Sequence, residues 1–144
     1  MLKLKSVFAA ALVLGTATFA LAESQDPDVQ NRQAAMKTVG ANTKTLGEMV
    51  QGKTAFDAAA AQLAFATIAG KAGEVPVLFE AEVTDPESDA ADEIWMMWDE
   101  FVAKAGALKT AAEAGSGVDS PEALGAAFGN LNEACKACHT QFKL

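Results

Sequence analysis

The chain is poor in the residue types that build most catalytic and metal sites. Its 144 residues include only one histidine and two cysteines, which is too few for a structural zinc site with four Cys or His ligands. The sequence shows no general acid–base pair and no nucleophile beside a base, so it does not predict an enzyme. Basic residues are also scarce: 11 Lys and Arg stand against 19 Asp and Glu, a formal net charge of −8 at pH 7. This balance argues against a nucleic-acid partner.

Long uninterrupted apolar runs are missing as well, and the longest apolar stretch lies within residues 1–22. Two lysines precede it, and Ala20–Ala22 supplies the small residues of a cleavage site, which together form the pattern of a secretory signal peptide. Gly15 and nearby threonines break the run, whereas a membrane anchor needs about 20 apolar residues. We therefore expect cleavage after Ala22, export to the periplasm, no membrane attachment of the mature chain, and one domain formed by residues 23–144.

Patterns typical of β-strands are also lacking. No segment alternates apolar and polar residues for long, and the Asn-Gly and Asp-Gly dipeptides of tight hairpins do not occur. Capping residues and glycines instead mark four helical segments, so the chain is predicted to be all-α. We expect the helices to run from Pro27 to Gly52, from a capping box at Thr54 and Asp57 to about Gly73, from Ser88 or Asp89 to Gly115, and from Pro121 to about Phe142.

Apolar residues recur every three or four positions along these segments. In the fourth, Leu124, Phe128 and Leu131 are followed at this spacing by both cysteines. Such seams pack helices nearly antiparallel, and short connections favour antiparallel neighbours, so the sequence predicts an up-down-up-down four-helix bundle. In that topology the end of the fourth helix faces the start of the first, the start of the third and the second connection. The residues brought together are Cys135, Cys138, His139, Arg32, Met36, Phe79, Trp95 and Trp98.

The two cysteines and the histidine form one motif, Cys-Lys-Ala-Cys-His, at residues 135–139. A disulfide between Cys135 and Cys138 is one alternative, but redox-active pairs usually begin a helix, where its dipole favours a thiolate. The other is covalent haem attachment, for which C-x-x-C-H is a direct signature. Cysteines three residues apart lie on one helix face, so both sulfurs can reach one porphyrin edge, while His139 projects toward the iron. We therefore expect one covalently bound haem.

Longer stretches of the chain resemble the class II c-type cytochromes, that is, cytochrome c′ and its low-spin, six-coordinate relatives. The resemblance covers about residues 27–144 and rests first on a C-x-x-C-H motif close to the C-terminus. It also rests on RQAAM in the first helix, VPVLF before the acidic connection, EIWMMWDEF at the start of the third helix and AAFGNLNEACKACHTQFK in the fourth. The resemblance implies a four-helix bundle with one haem c.

The resemblance also implies roles for single residues of the motif. It makes Cys135 and Cys138 the thioether positions and His139 the axial iron ligand. Lys143 stands where cytochromes c′ usually carry an arginine, one helical turn after the histidine.

Four residues outside the motif also match family positions. Arg32 matches an arginine beside the haem propionates, and Phe79 and Trp95 match residues of the pocket wall. A charged side chain at the seam position of Arg32 is costly unless it is paired; the alternative is that it reaches solvent at the bundle end. Met36 matches the distal face of the haem, where methionine is a sixth iron ligand in low-spin members and a packed residue over an open iron in others.

These expectations converge on a periplasmic c-type haem protein that carries one electron at a time. The alternative is a five-coordinate protein that binds NO or CO. Between Lys71 and Lys104 the chain has many acidic residues and no basic one, which indicates either a solvated surface or a docking face for a basic redox partner. The sequence leaves open whether the protein is a monomer or a homodimer.

Overall fold

The computed structural model describes residues 24–144; the predicted signal peptide lies outside this range. Four long helices and one single-turn helix make up the described part, which contains no β-strand. They are α1 (Pro27–Val50), α2 (Ala58–Leu78), α3 (Glu93–Met96), α4 (Trp98–Gly115) and α5 (Pro121–Phe142). The all-α prediction is confirmed.

The long helices form the predicted antiparallel four-helix bundle. Helices α1, α2, α4 and α5 each pack beside the next, and α5 returns to lie beside α1, although this last pair packs less closely than the other three. The seam between α1 and α5 is therefore the open side of the bundle. None of the described helices is both long enough and apolar enough to cross a membrane.

Helices α1 and α5 begin where their capping residues predict. The Asp26 carboxylate accepts hydrogen bonds from two backbone amides of the first turn of α1, and the Ser120 hydroxyl accepts one from the Ala123 amide at 3.3 Å. A proline follows each cap, at the first position of the helix, where a backbone N–H would have no partner within the helix. Past the end of α1 at Val50, Gly52 has φ +67°, a left-handed conformation that glycine adopts without strain.

The start of α2 differs slightly from the prediction. The Asp57 carboxylate accepts a hydrogen bond from the Ala60 amide at 3.0 Å, so Asp57 is the cap and the helix begins at Ala58. Thr54 lies in the turn before it and does not cap the helix.

The predicted end of α2 near Gly73 is wrong. The helix continues through Pro76 to Leu78. A Cβ atom on Gly73 would make ordinary contact with aliphatic carbons of Lys109, at 3.7 Å, so the packing of α4 does not require a glycine here. A glycine inside a helix costs about 1 kcal/mol, and burial of Val75 in the following turn offsets this cost.

The predicted third helix begins later and is broken. Helical structure starts at Glu93, not at Ser88 or Asp89, and Met97, with φ −127° and ψ 43°, separates α3 from α4. The Ser88 hydroxyl accepts a hydrogen bond from the Ala90 amide at 3.2 Å, which stabilises a turn. A serine hydroxyl that accepts a backbone hydrogen bond can cap a helix or stabilise a turn. The prediction from residue type alone therefore placed the helix start too early.

The buried side chains form two clusters, one in each half of the bundle. The packed half includes Leu46, Phe65, Ile68, Leu124 and Leu131. The cavity half is formed by Val75, Phe79, Ile94, Phe101, Ala105 and Phe142. Cys135 packs against the first cluster and Cys138 against the second, so the Cys-x-x-Cys-His motif lies at the boundary between the two halves.

Candidate functional site

A cavity of about 360 Å³ lies in the cavity half, bordered by α1, α4, α5 and the end of α2. Its size falls in the range of roughly 300–1,000 Å³ that is typical of small-molecule sites. Val39 and Leu108 of the packed half also line it. Of the residues that the sequence predicted to meet, six line this cavity: Arg32, Met36, Phe79, Cys135, Cys138 and His139.

The two cysteines lie on one side of α5 because they are three residues apart, and both reach the cavity. Their thiols are free and partly buried, so the structure does not contain the disulfide alternative. Burial raises the pKa of both thiols, and at Cys138 the positive charge of Lys104 partly opposes this effect. Both cysteines are therefore protonated at neutral pH and are available as thiols.

His139 lies in the same turn, at the edge of the cavity, where most of the residue is open to solvent. Loss of part of its hydration lowers the pKa of the imidazole, and the positive charge of Lys143 lowers it further. Both effects favour the neutral form that binds metals. Within residues 24–144, no group of three or more His, Cys, Asp or Glu side chains is arranged to hold a metal ion. His139 matches the axial-ligand position that the resemblance implies, and the neutral imidazole is the form that such a ligand needs.

Arg32 is a buried cation at the cavity wall, with a relative exposure of 3%. Its Nε donates to the Leu78 carbonyl at 2.8 Å, and its Nη2 donates to the Ala81 carbonyl. Its Nη1 is buried and has no hydrogen-bond partner in residues 24–144. Burial lowers the pKa of the guanidinium, although Asp28 and Asp26 oppose the effect. The side chain therefore does not reach solvent, and its unused donor fits an anionic group such as a haem carboxylate.

The two predicted aromatic wall residues are placed differently. Phe79 lines the cavity, whereas Trp95 packs against the cavity-half cluster without lining the cavity itself. The Trp95 indole nitrogen donates to the Phe79 carbonyl at 2.8 Å, and its ring lies 5.5 Å from Cζ of Arg32. Trp98 is also off the wall and packs on Phe101, with ring centroids 5.7 Å apart. Met97 separates α3, which carries Trp95, from α4, which begins at Trp98.

Met36 lies on α1, across the cavity from the motif on α5. Its side chain is partly buried, packs against the cavity-half cluster and lines the cavity. Met49, further along the same helix, packs against the cluster of the packed half. Met36 is therefore the methionine of α1 that shares a cavity with His139, as the seam predicted.

The cavity also carries positive charge that the sequence reading missed. Lys104 of α4 lines it together with Arg32 and Lys143, and the sole carboxylate among its described lining residues is Asp89. Lys143 pairs with Asp89 at 2.9 Å and Lys104 with Glu100 at 3.7 Å, so Arg32, whose Nη1 has no hydrogen-bond partner in residues 24–144, is the cation of the lining with a donor to spare. Lys104 lies three residues after Phe101, a spacing that places both residues on nearly the same face of α4. This spacing is the sequence signal for its position. A buried cation with a spare donor fits a cofactor with anionic carboxylates.

The C-terminus closes the end of the cavity half. Lys143 and Ala90 form an isolated antiparallel bridge, the Leu144 amide donates to the Asp89 carbonyl at 2.9 Å, and the Ala91 amide donates to the Phe142 carbonyl at 3.1 Å. We call residues 142–144 the C-terminal strap. The strap fixes the last turn of α5, and with it His139, against the connection that precedes α3.

Comparisons with known proteins identify the family of the chain. The family model described as Cytochrome C' matches residues 28–143. A cytochrome c′ of Rhodopseudomonas palustris is 32% identical over 146 residues, covering 99% of this chain and 97% of that protein. A cytochrome c-556 of Agrobacterium fabrum is also 32% identical, over 148 residues, again with 99% and 97% covered. Relatives with the two names thus match this chain equally well.

Solved structures give the same result. The cytochrome c′ of Rhodopseudomonas palustris superimposes with a TM-score of 0.78 at 31% identity, covering 83% of this chain and 98% of that one. A structural model of the oxidised cytochrome c556 of the same organism has a TM-score of 0.76 at 26% identity, covering 83% and 98%.

Proposed function

This chain belongs to the cytochrome c′ family and carries one covalently bound haem c, and from that premise we propose that it is a periplasmic one-electron carrier. Haem supplies a single iron that changes between ferric and ferrous states. The protein's own contribution is to hold the haem, to complete the set of iron ligands and to set the surrounding charge.

We assign the attachment to the motif on α5. Cys135 and Cys138 present two free thiols to the cavity, and these would form the two thioether links. His139 follows directly and would be the axial ligand on the α5 side. The C-terminal strap supports this geometry because the Lys143 amide donates to the His139 carbonyl at 3.2 Å while Lys143 itself is paired to Asp89.

The observation that carries the proposal is the position of Met36. Its thioether lies on α1 and His139 on α5, so one cavity offers a ligand from each side of the open seam. Methionine and histidine that both bind the haem iron would make it six-coordinate. This pair of ligands raises the reduction potential, which suits electron transfer. We therefore propose that Met36 is the sixth ligand.

The cavity wall supports the same function. Apolar residues such as Val39, Phe79 and Leu108 keep water from the haem, while Arg32 and Lys104 place positive charge beside it. A low-dielectric wall strengthens the effect of these charges. Both features set a reduction potential, and neither requires a substrate site.

Absorption spectra of the oxidised, reduced and CO-treated protein test this proposal. We expect a low-spin spectrum and little or no CO binding, because Met36 occupies the sixth position. Met36→Leu, which keeps the volume but removes the sulfur, should become high-spin and bind CO. Met49→Leu is the matched control and should leave both spectra unchanged. A wild-type protein that is high-spin and binds CO at once would contradict the proposal.

One observation favours a second function, the binding of NO or CO. Gly40 lies one helical turn from Met36 and also lines the cavity, and nothing lies within 4 Å of the position where its Cβ would be. The α1 wall therefore has room beside Met36 for a small ligand. If the CO experiment shows rapid binding to the wild-type protein, this second function replaces the first.

A further inference from the structure

The guanidinium of Arg32 is held on several sides by one structural unit, the turn that follows α2. The carbonyls of Leu78 and Ala81 accept from two of its nitrogens, and the Phe79 ring lies 4.9 Å from its Cζ. The guanidinium is planar, so hydrogen bonds from Nε and Nη2 to these carbonyls restrict the directions in which Nη1 can point. The turn after α2 therefore decides where the one unused donor of Arg32 points.

Trp95 is the side chain that ties this turn to the rest of the protein. Its indole nitrogen donates to the carbonyl of Phe79, which directly follows Leu78 in the turn that holds Arg32. Its ring also lies 5.5 Å from the Arg32 Cζ, within the distance at which an aromatic face attracts a cation. Trp95 thus contacts both Arg32 and the turn that holds Arg32, while it lies off the cavity wall.

We propose that Trp95 is a positioning residue for Arg32: it fixes the guanidinium so that Nη1 is directed to a haem carboxylate, and through Arg32 it raises the reduction potential of the iron. This inference rests on the proposed pairing of Arg32 with the haem. A positive charge fixed beside the haem stabilises the ferrous form relative to the ferric form, which carries one more positive charge. An Arg32 side chain that can swing away would lose part of this effect.

The test is a double-mutant cycle read as the midpoint potential of the holoprotein at neutral pH. Arg32→Gln should lower the potential, because it removes the charge. Trp95→Leu should reproduce most of this fall, because it removes both the ring and the indole donor. Trp95→Phe keeps a ring but not the donor, and we expect a smaller fall. In the Arg32→Gln protein, Trp95→Leu should cause no further fall.

Trp98→Leu is the matched control. Trp98 belongs to the same stretch of sequence and packs on Phe101, but it makes no ring contact with Arg32 in residues 24–144. If a substitution acts only through lost packing, it should change the potential by the same amount in the wild-type and Arg32→Gln proteins. We expect Trp98→Leu to behave in this way.

Two results would overturn the inference. One is a fall on Trp95→Leu of the same size in both backgrounds, and the other is an unchanged potential in Arg32→Gln. If Trp95→Leu does not retain haem, the same cycle is run with Trp95→Phe. Spin state and CO binding judge the proposed electron transfer separately, so failure of one proposal can be told from failure of the other.

Discussion

The two halves of the bundle are built on the same four long helices but enclose different interiors. In the packed half, small residues let the helices approach closely: the position of a Cβ on Gly115 would lie 2.5 Å from ring atoms of Phe65. In the cavity half, Phe101 packs between Phe79 and Phe142, with ring centroids 5.2 and 5.3 Å apart, and a charged Arg32 is buried. Both halves therefore have a buried cluster, but only in the cavity half do aromatic side chains and a buried cation border a space large enough for a cofactor.

The largest expected effect separates the two halves along α5. Cys135→Ala combined with Cys138→Ala should abolish haem retention in an acid-acetone extraction of denatured protein, because no thioether can form. Leu131→Ala, one turn before the motif in the packed half, should retain its haem but lose about 2–5 kcal/mol of unfolding free energy. Haem extracted intact from the wild-type protein would refute covalent attachment.

A second prediction concerns the close approach in the packed half. Gly115→Ala should lower the free energy of unfolding by about 1–3 kcal/mol, since the added methyl overlaps the buried Phe65 ring. Gly106→Ala on the same helix meets nothing within 4 Å and should be neutral or stabilising by up to about 1 kcal/mol. Denaturant unfolding of both variants measures the difference. Equal stabilities would show that the packed half is looser than described.

A third prediction uses the acidic connection of the cavity half. Gln substitutions at Glu80, Glu82 and Glu87 should slow electron transfer with a basic redox protein at low salt by about tenfold or less, and should flatten its dependence on ionic strength. Gln or Asn substitutions in the packed half, at Glu48, Asp119 and Glu122, serve as the control of equal charge. If both triple variants behave alike in stopped-flow measurements, only net charge matters and the connection is a solvated surface.

Asp85 belongs to the same acidic connection, but its carboxylate accepts hydrogen bonds within the protein. Ser24 donates to its carboxylate at 2.6 Å and the Glu87 amide donates at 2.7 Å, and these bonds lower the pKa of Asp85. A carboxylate with a lowered folded-state pKa stabilises the protein at neutral pH, and this stability is lost as the pH falls through that pKa. We expect Asp85→Asn to be slightly less stable than wild type at pH 7, and the difference to vanish in acid.

Thermal unfolding as a function of pH measures this smallest effect. Glu82→Gln, at an exposed position of the same connection, is the control and should follow the wild-type curve. A difference between Asp85→Asn and wild type that persists unchanged below about pH 3 would mean that it does not come from the ionised carboxylate.

Much of this architecture could be predicted from the sequence because it depends on local spacing. The three- and four-residue periods of α1 and α5 correctly placed Met36, Cys135 and Cys138 in one cavity. Gly73 and Ser88 misled the prediction because both residue types serve more than one purpose. Whether a glycine ends a helix or lies inside one depends on tertiary packing, which the sequence does not display.

The limits of prediction at the site have the same origin. The resemblance matched Trp95 to the pocket wall, but its place beside Arg32 depends on a hydrogen bond to the Phe79 carbonyl, which no sequence pattern shows. Lys104 could not be predicted from the apolar period of the third segment because it lies between Phe101 and Ala105, outside that period. The unused donor of Arg32 could not be predicted from a pattern, since it depends on which backbone carbonyls lie nearby.

The C-terminal strap also makes the site depend on a contact between distant parts of the chain. Residues 142–144 pair with residues 89–91, so the strap can form only once α1, α2 and α4 have brought the connection before α3 to the same end of the bundle as the end of α5. A chain cut before residue 142 would lack this pairing, and the last turn of α5 that carries His139 would lose its anchor.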